Sequence, residues 1–461
     1  MPTAAERLAE FAVNLRYEDL PEHVVADAKL RFMDTIGVCL LSSRMDFSQP
    51  VADMVREQGG RAEATVLGFG DRVPASQAVL VNGVLAHGSE YDDTDAGSGI
   101  HPSCTVVTTA LAAAERVGAG GRATLAAAQA GYELAIRLGR AGINHYSSYH
   151  PTAIAGTFAS VLVAGKLFGL DANQLANALG IAGSQAAGTW KFTEDGSWNK
   201  RLHGGWPGHC AITAALLAQR GFIGPHAIFE GERGIVNVYG GRNKSVEALT
   251  AGLGEDWVTP GTTYKVYPCC SLGQAAMDAA RRLQREHRLG VDDLEQVECF
   301  IPPEASRITA EPREQKLNPQ TTYQAFFSFP YCVAIALTDE VVTVDSYAAE
   351  RLPDPSLKSL ARRVVTTVDE SLLVANGQPA RVVITTRDGK RFQHQTALRG
   401  TPENPFLPPD VEAKFRQTAG RVLAGEQIEG VLTHLRDLEQ LDDVRRLTGL
   451  CAPITAPAAR A

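Results

Sequence analysis

The chain contains, twice, a histidine-proline-hydroxyl step directly ahead of a long run of small and apolar residues. His101-Pro102-Ser103 leads into Val106–Val117, and His150-Pro151-Thr152 leads into Ala153–Phe168. Proline is favoured in the first turn of a helix, because the N–H that it lacks has no intrahelical partner there. The pattern therefore predicts two long, closely packed helices, each with a histidine at its N-terminal end.

Both histidines would lie where a helix presents unpaired backbone N–H groups and the positive end of its dipole. That environment disfavours a protonated imidazole and favours a bound carboxylate. We therefore expect neutral histidines beside an anion-binding pocket. This arrangement suits the removal of a proton from carbon next to a carboxylate.

Composition and charge exclude several kinds of partner. The 461 residues carry a net charge of −8, whereas binding to nucleic-acid phosphates requires clustered Lys and Arg. Residues 1–14 are unlike a secretory signal, and Lys166 interrupts the longest apolar stretch, so no membrane association is expected. The eight cysteines are scattered without a C-x-x-C pair, which favours a reducing cytoplasm.

The spacing of apolar residues predicts helices through the first two-thirds of the chain, at 21–43, 76–86, 103–117, 123–138, 152–168, 171–187 and 209–220. After about residue 265 an amphipathic helix is followed by short strand-like runs, two of which flank the hairpin signal Asp388-Gly389. We therefore predict a mainly α protein. Residues 1–264 and 403–461 would form a large all-helical domain, and residues 265–402 a smaller α+β lid domain, with the ligand between them.

The first candidate cluster is the acid-rich run 87–94, which precedes His101. His101 would act as a base or carboxylate ligand, with Glu90 and Asp93 orienting it or sharing its proton. Alternatively, the acidic run only ends a helix, and Asp93 or Thr94 caps a loop.

The second candidate cluster is Tyr146 with His150. Tyr146 would donate a proton or a hydrogen bond to a carboxylate, and alternatively is a core aromatic residue. His150 repeats the helix-opening arrangement of His101, which favours a functional role. The alternative is a histidine that only caps its helix.

The third candidate cluster is the segment Asn199–Pro207, in which Lys200 and His203 would share one face of a turn. Its glycines would let the backbone approach a ligand, and Pro207 would open another helix. This pattern predicts an anion-binding loop, with Lys200 holding a carboxylate or moving a proton. The alternative is a solvated basic surface loop.

Lys265 would reach the same pocket from the second domain. The adjacent Cys269 and Cys270 lack a second cysteine pair at metal spacing, so we expect packing residues and no metal site. The sequence contains no nucleotide-binding glycine loop and no G-x-S-x-G motif, so no organic cofactor is expected.

Together these motifs resemble the MmgE/PrpD (2-methylcitrate dehydratase) superfamily, which also contains cis-aconitate decarboxylases and iminodisuccinate epimerases. The matching stretches are 81–87, 91–94, 101–103, 150–152, 200–203, 216–222, 267–270 and 327–331. The resemblance implies a helical domain with an α+β lid, a homodimer, and catalysis without metal or cofactor on a di- or tricarboxylate. The pocket positions of the family carry over to Asp93, Thr94, His101, His150, Lys200 and Lys265.

Three positions depart from the family pattern. Glu90 stands where Asp is common, and Gln274 stands where many members have a histidine. The form Lys-Arg-Leu-His at 200–203 differs from the Lys-Pro-Leu/Met-His of decarboxylase and epimerase members. Because of these departures, the substrate of a family member is not assigned to this chain.

The sequence thus predicts a cofactor-independent, dehydratase-like lyase that removes a proton next to a carboxylate of a small di- or tricarboxylic acid, with water as the leaving group. His101 or His150 would be the base, and the other, with Lys200, would bind carboxylates and the developing enediolate. The alternatives are an epimerase or isomerase of an iminodisuccinate-like dicarboxylate, a decarboxylase, which Gln274 disfavours, and a non-catalytic carboxylate-binding protein.

Overall fold

The computed structural model describes residues 1–144, 147–373 and 378–453. Up to residue 260 the chain is mainly helical. Its helices are α1 Ala4–Asn14, α2 Glu22–Ser42, α3 Ser48–Gln58, α4 Ala75–Gly88, α5 Ser103–Val117, α6 Gly121–Arg140, α7 Pro151–Leu167, α8 Ala172–Ala182, α9 Phe192–Asp195, α10 Asn199–Gln219 and α11 Ile235–Tyr239. The helices that follow the two His-Pro steps, α5 and α7, are confirmed.

Two short antiparallel strand pairs connect this helical part. Strand β1 (Ala64–Thr65) pairs with β2 (Arg72–Val73), and β3 (Thr94–Asp95) pairs with β4 (Thr262–Thr263). The second pair fixes the loop before α5 to a segment about 170 residues later in the chain. It thereby positions the start of the segment that carries Lys265.

The next part of the chain combines helices with a four-stranded sheet. The helices are α12 Ser271–His287, α13 Pro303–Ala305, α14 Arg313–Leu317, α15 Thr322–Phe326, α16 Phe329–Thr338 and α17 Pro355–Arg363; the strands are β5 Leu294–Ile301, β6 Val364–Val368, β7 Ala380–Thr386 and β8 Arg391–Thr396. The strand order is β6-β5-β7-β8, with β5 and β6 parallel and the other neighbours antiparallel. Helix α12 packs on β7 and β8, and the predicted hairpin at Asp388-Gly389 is confirmed.

The chain then returns to helix, with α18 Pro408–Ala419, α19 Gly425–Arg436 and α20 Arg445–Thr448. Helix α18 packs back on α2. The predicted fold class, mainly α with a smaller α+β part, is therefore confirmed. Within the described ranges, no helix combines the length and the apolar character that crossing a membrane requires.

One large apolar core is formed by residues between 4 and 264 together with residues 411–451. A second core is formed by residues 267–398, to which Ala96 and Phe192 of the helical part also contribute. Because these two residues insert into the second core, the two parts of the protein pack directly against each other. The domain boundaries at 265 and 402 stay predictions.

The prediction that 199–207 is a loop and that Pro207 opens a helix is wrong. Helix α10 begins at Asn199 and contains Pro207 in its interior. Proline inside a helix removes one backbone hydrogen bond, but here α10 packs along α4 and α7, and this packing outweighs the local preference. The glycines of the segment also serve packing: a Cβ on Gly204 would lie 2.3 Å from the Gly83 carbonyl oxygen of α4.

The contact between α4 and α10 predicts a cost for the smallest added side chain. A Cβ on Gly83 would lie 2.3 Å from the Gly204 carbonyl oxygen, so Gly83→Ala is expected to lower the free energy of unfolding by about 1–3 kcal/mol. The matched control is Gly425→Ala, where a Cβ meets nothing within 4 Å and the change should stay within about 0.5 kcal/mol. Chemical denaturation measures both, and equal stabilities would contradict the close helix contact.

Candidate active site

Buried histidines and lysines from distant parts of the chain meet near the N-terminal ends of α7 and α10. They are His87, His101, His150, Lys200, His203 and Lys265, each at most 8% exposed. The ring centroids of His87 and His101 are 4.9 Å apart, and those of His101 and His150 are 6.4 Å apart. Five of these six were predicted from the sequence, and the structure brings those five together.

The loop between α4 and α5 brings carboxylates into this cluster. Glu90 has a φ of 54°, a left-handed conformation that is uncommon for a residue with a side chain. Further along the loop, Thr94 pairs with Thr263 in the β3–β4 ladder. Glu90 precedes β3 and Lys265 follows β4, so the antiparallel pairing brings both residues to the same end of this strand pair.

A backbone carbonyl fixes the tautomer of His101. The Nδ1 of His101 lies 2.8 Å from the Asp93 carbonyl oxygen. A carbonyl only accepts, so Nδ1 carries the proton and donates, and Nε2 of the neutral ring keeps its lone pair. Burial, together with the nearby Lys265 and Lys200, holds the pKa of His101 well below its usual range, although Asp92 opposes this.

His150 and His203 form a pair. Their Nδ1 atoms are 3.2 Å apart, so one ring donates to the other. Burial lowers the pKa of both rings, and Lys200 and the neighbouring histidines lower it further. The pKa of His203 falls to about 3. When His150 is the donor, its Nε2 keeps a lone pair, and when His203 is the donor, Nε2 of His150 carries the proton. Burial is the largest cause of the lowered pKa in both rings.

Glu90 lies between two ammonium groups. Its Oε1 is 2.5 Å from Lys200 Nζ, and its Oε2 is 3.1 Å from Lys265 Nζ. Burial alone would raise the pKa of Glu90, but the two lysines outweigh it and hold this pKa below its usual range. Burial opposes the charge of Lys265, but Asp92 and Glu90 raise its pKa. Glu90 and Lys265 are therefore charged at neutral pH.

Two members of the cluster, His87 and Asp92, were missed as site residues by the sequence reasoning. His87 Nδ1 lies 2.6 Å from Asp92 Oδ2, and Lys265 Nζ lies 3.1 Å from Asp92 Oδ1. His87, Asp92 and Cys104 offer ligand-type atoms within 4.8 Å of one another. The Lys265 ammonium on Asp92 would repel a bound cation, so the arrangement fits a hydrogen-bonded network better than a metal site.

The Asp93 carboxylate faces away from the lysines. It accepts hydrogen bonds from the backbone N–H of Ser103, at 3.1 Å, and from the Ser103 hydroxyl, and it lies 3.6 Å from Arg31 Nη1. Burial raises the pKa of Asp93 to about 7, with Arg31 opposing. Its contact with His101 is made by its backbone, so Asp93 caps α5 and positions the His101 ring. Asp92, its neighbour, supplies the carboxylate to the cluster.

Of the remaining residues singled out in the sequence, Thr94 lies in the cluster and Gln274 lies outside it. The Thr94 hydroxyl lies 3.1 Å from His101 Nδ1, and Tyr146 lies outside the described residues. Gln274 is not directed at the cluster: its amide bonds with backbone groups of Val266, Tyr267 and Cys269. It braces the loop that follows Lys265.

Tyr323 and Cys270 also reach the cluster. The Tyr323 hydroxyl donates to Glu90 Oε1 at 3.3 Å. Cys270 lies in the electrostatic field of Lys200 and Glu90, and burial raises its pKa to about 11, so it remains a thiol. Cys269 packs against Met277, as expected for a packing residue. No sequence pattern indicated Tyr323, which belongs to the second core.

A cavity of about 450 Å³ lies beside the cluster, between the two parts of the protein. Phe192, Tyr323 and Phe327 separate it from the buried groups. The Phe192 ring lies 6.0 Å from that of His150, and the Phe327 ring lies 5.0 Å from Lys200 Nζ. The volume is within the range of small-molecule sites, and the wall next to the histidine–lysine cluster is aromatic.

Comparison with known proteins identifies related sequences along most of the chain. Residues 6–247 match the MmgE/PrpD N-terminal domain, and residues 267–437 match the MmgE/PrpD C-terminal domain. The cis-aconitate decarboxylase-like protein oryM of Aspergillus oryzae is 25% identical, over 96% of each chain. The human cis-aconitate decarboxylase is 26% identical over 98% of this chain and 95% of its own, and that of Aspergillus terreus is 24% identical over 98% and 96%.

The neutral state of His203 predicts a pH dependence of stability. Because the pKa of His203 falls from 6.5 to about 3 on folding, the unfolded state binds the extra proton, and stability falls as the pH drops below 6.5. Between pH 6.5 and 5 the wild type should lose about 2 kcal/mol more than His203→Gln. His23→Gln, an exposed position, is the control. Urea denaturation at both pH values measures this, and parallel losses in all three proteins would contradict it.

Proposed function

Because the chain belongs to the MmgE/PrpD family of enzymes, we propose that it is a lyase that acts on a small di- or tricarboxylic acid without a cofactor. The reaction begins with removal of a proton from carbon next to a carboxylate and ends with loss of water. The single observation that carries the proposal is the tautomer of His101, which leaves a lone pair on Nε2 in a buried cluster that also contains Lys200 and Lys265.

In this mechanism the substrate proton moves to His101 Nε2, and the electron pair of the broken C–H bond is first held as the enediolate of the adjacent carboxylate. It then forms the new carbon–carbon double bond. The β C–O bond breaks, and the departing hydroxide takes a proton from the Lys200 ammonium and leaves as water. Exchange with solvent returns the proton of His101 to the lysine. General base catalysis contributes about 10²- to 10⁴-fold, so the ammonium groups must supply much of the remaining stabilisation of the enediolate.

The buried ion network explains how carboxylates are held. Glu90 forms ion pairs with both lysines, so a substrate carboxylate would replace it at Lys200. The His150–His203 pair adds neutral rings that donate to a second carboxylate, or relay a proton, depending on which ring holds the shared proton.

Decarboxylation is the second candidate, and two observations favour it. The relatives described above are named cis-aconitate decarboxylases, and the Gln274 amide is engaged with the backbone, so its presence does not count against this reaction. The bond between carbon and carboxylate would break to release CO₂. Its electron pair would shift through the adjacent double bond, and a protonated group of the cluster would deliver a proton to carbon.

Proton NMR in heavy water tests these reactions in one assay. Incubation with citrate, methylcitrate, aconitate, malate and iminodisuccinate distinguishes elimination, decarboxylation, epimerisation and simple proton exchange. We expect vinyl signals from a hydroxy acid, with deuterium entering the carbon next to the carboxylate. Binding without turnover and without exchange across the panel would contradict the proposal and indicate a non-catalytic carboxylate-binding protein. The homodimer and the cytoplasmic location also stay predictions.

Replacement of Lys200 tests its assigned role. Lys200→Met should lower kcat by about 10²- to 10³-fold, because it removes the cation that stabilises the enediolate. The control is Lys191→Met, which removes an exposed lysine (72% side-chain exposure) from a nearby segment and should leave kcat unchanged.

A double variant separates catalysis from folding. Removal of Lys200 alone leaves Glu90 with less compensation in a buried site, which destabilises the protein, whereas Lys200→Met with Glu90→Gln removes both charges. The double variant should regain stability in thermal unfolding but remain inactive. Recovery of activity together with stability would exclude Lys200 from the chemistry.

A further inference from the structure

Arg201 is a buried cation with unused hydrogen-bond donors. It follows Lys200 on α10 and is 3% exposed, with its guanidinium carbon 4.1 Å from the Phe47 ring and 4.7 Å from the Tyr323 ring. Among the described residues, its Nε and Nη1 have no hydrogen-bond partner. Asp46 forms only a long ion pair with it, at 3.7 Å. Unused buried donors cost stability, so this guanidinium favours a ligand that accepts from it.

Arg201 lines a cavity of about 220 Å³ at the junction of α2, α10 and α15. Two further arginines, Arg44 and Arg421, line the same cavity from different elements, together with Asp46 and Asp345. Asp345 is paired with Arg421, and the Asp46 side chain is 72% exposed. Three arginines against two aspartates leave the cavity with a surplus of one positive charge.

Tyr323 separates this cavity from the catalytic cluster. One face of its ring packs on Arg201, while its hydroxyl donates to Glu90. Tyr323 also lines the larger cavity of about 450 Å³, whereas Arg44, Arg201 and Arg421 line only the smaller one among the cavities described here. The smaller cavity is therefore a separate place, and its occupancy does not depend on the proposed reaction.

We propose that this cavity binds a small oxyanion, a phosphate or carboxylate group, through Arg201, Arg44 and Arg421. The planar guanidinium fork matches the paired oxygens of phosphate and carboxylate groups, and charge-assisted hydrogen bonds of this kind are strong. The cavity is large enough for one such group. The ligand would join α2 and α10 of the helical part to α15 of the second part.

Titration calorimetry with inorganic phosphate, on the full chain at constant ionic strength, tests the site. We expect saturable binding of one phosphate per chain, weakened at least tenfold by Arg44→Gln. Asp46→Asn should tighten binding, because it removes the carboxylate that competes for Arg201. The control Arg61→Gln removes an exposed arginine outside the cavity and should change nothing, and Arg44→Gln should leave the basal activity unchanged.

Two further arms identify the location and the source of the oxyanion. Lys200→Met should leave phosphate binding intact; its loss there would place the phosphate in the catalytic cluster and overturn the proposal. Citrate titrated into Lys200→Met tests a carboxylate ligand. If the double variant Lys200→Met with Arg44→Gln no longer binds citrate, the cavity accepts a carboxylate group. No saturable binding of either anion, or binding that Arg44→Gln and Asp46→Asn leave unchanged, would also overturn it.

Discussion

The buried contact of Glu90 with Lys200 and Lys265 is the interaction on which the rest of the site depends. It joins a loop after α4, the first turn of α10 and the segment after β4. Ammonium groups without this carboxylate would be too costly to bury, and their positive charge is one reason that the nearby histidines stay neutral. The geometry of the cluster is therefore set by charge compensation as much as by apolar packing.

The same compensation determines how a substrate would be accommodated. Lys200 and Lys265 are matched by Glu90 and Asp92, so these two lysines leave no surplus positive charge. Under the proposed function, a substrate carboxylate would have to displace Glu90 from Lys200. A substrate with a second carboxylate could also pair with Lys265, whereas an acid with one carboxylate could not. This competition favours substrates with several carboxylates, in agreement with the proposed reaction class.

Much of the fold and part of the site followed from the sequence. The His-Pro steps predicted α5 and α7 because proline chemistry is local, and Asp388-Gly389 predicted its hairpin for the same reason. The segment 199–207 was misassigned because its glycines and Pro207 are tolerated only through contact with α4, which local patterns do not reveal. The sequence could not show which of Asp92 and Asp93 places its carboxylate in the cluster. Only the folded loop directs Asp92 to Lys265 and Asp93 to Ser103. The contacts of Arg201 and Tyr323 are with residues far away in the sequence, so no local pattern predicts them.

The two-residue ladder between β3 and β4 has a consequence for how the protein can be divided. It makes the loop before α5 depend on Thr263, and Lys265 follows two residues later. A fragment that stops before residue 262 would keep every histidine of the cluster but would lose Lys265, one of the two lysines that compensate the charge of Glu90. The cluster is thus assembled from residues between 87 and 323, on both sides of this ladder, and neither part of the protein can be exchanged as a module without rebuilding it.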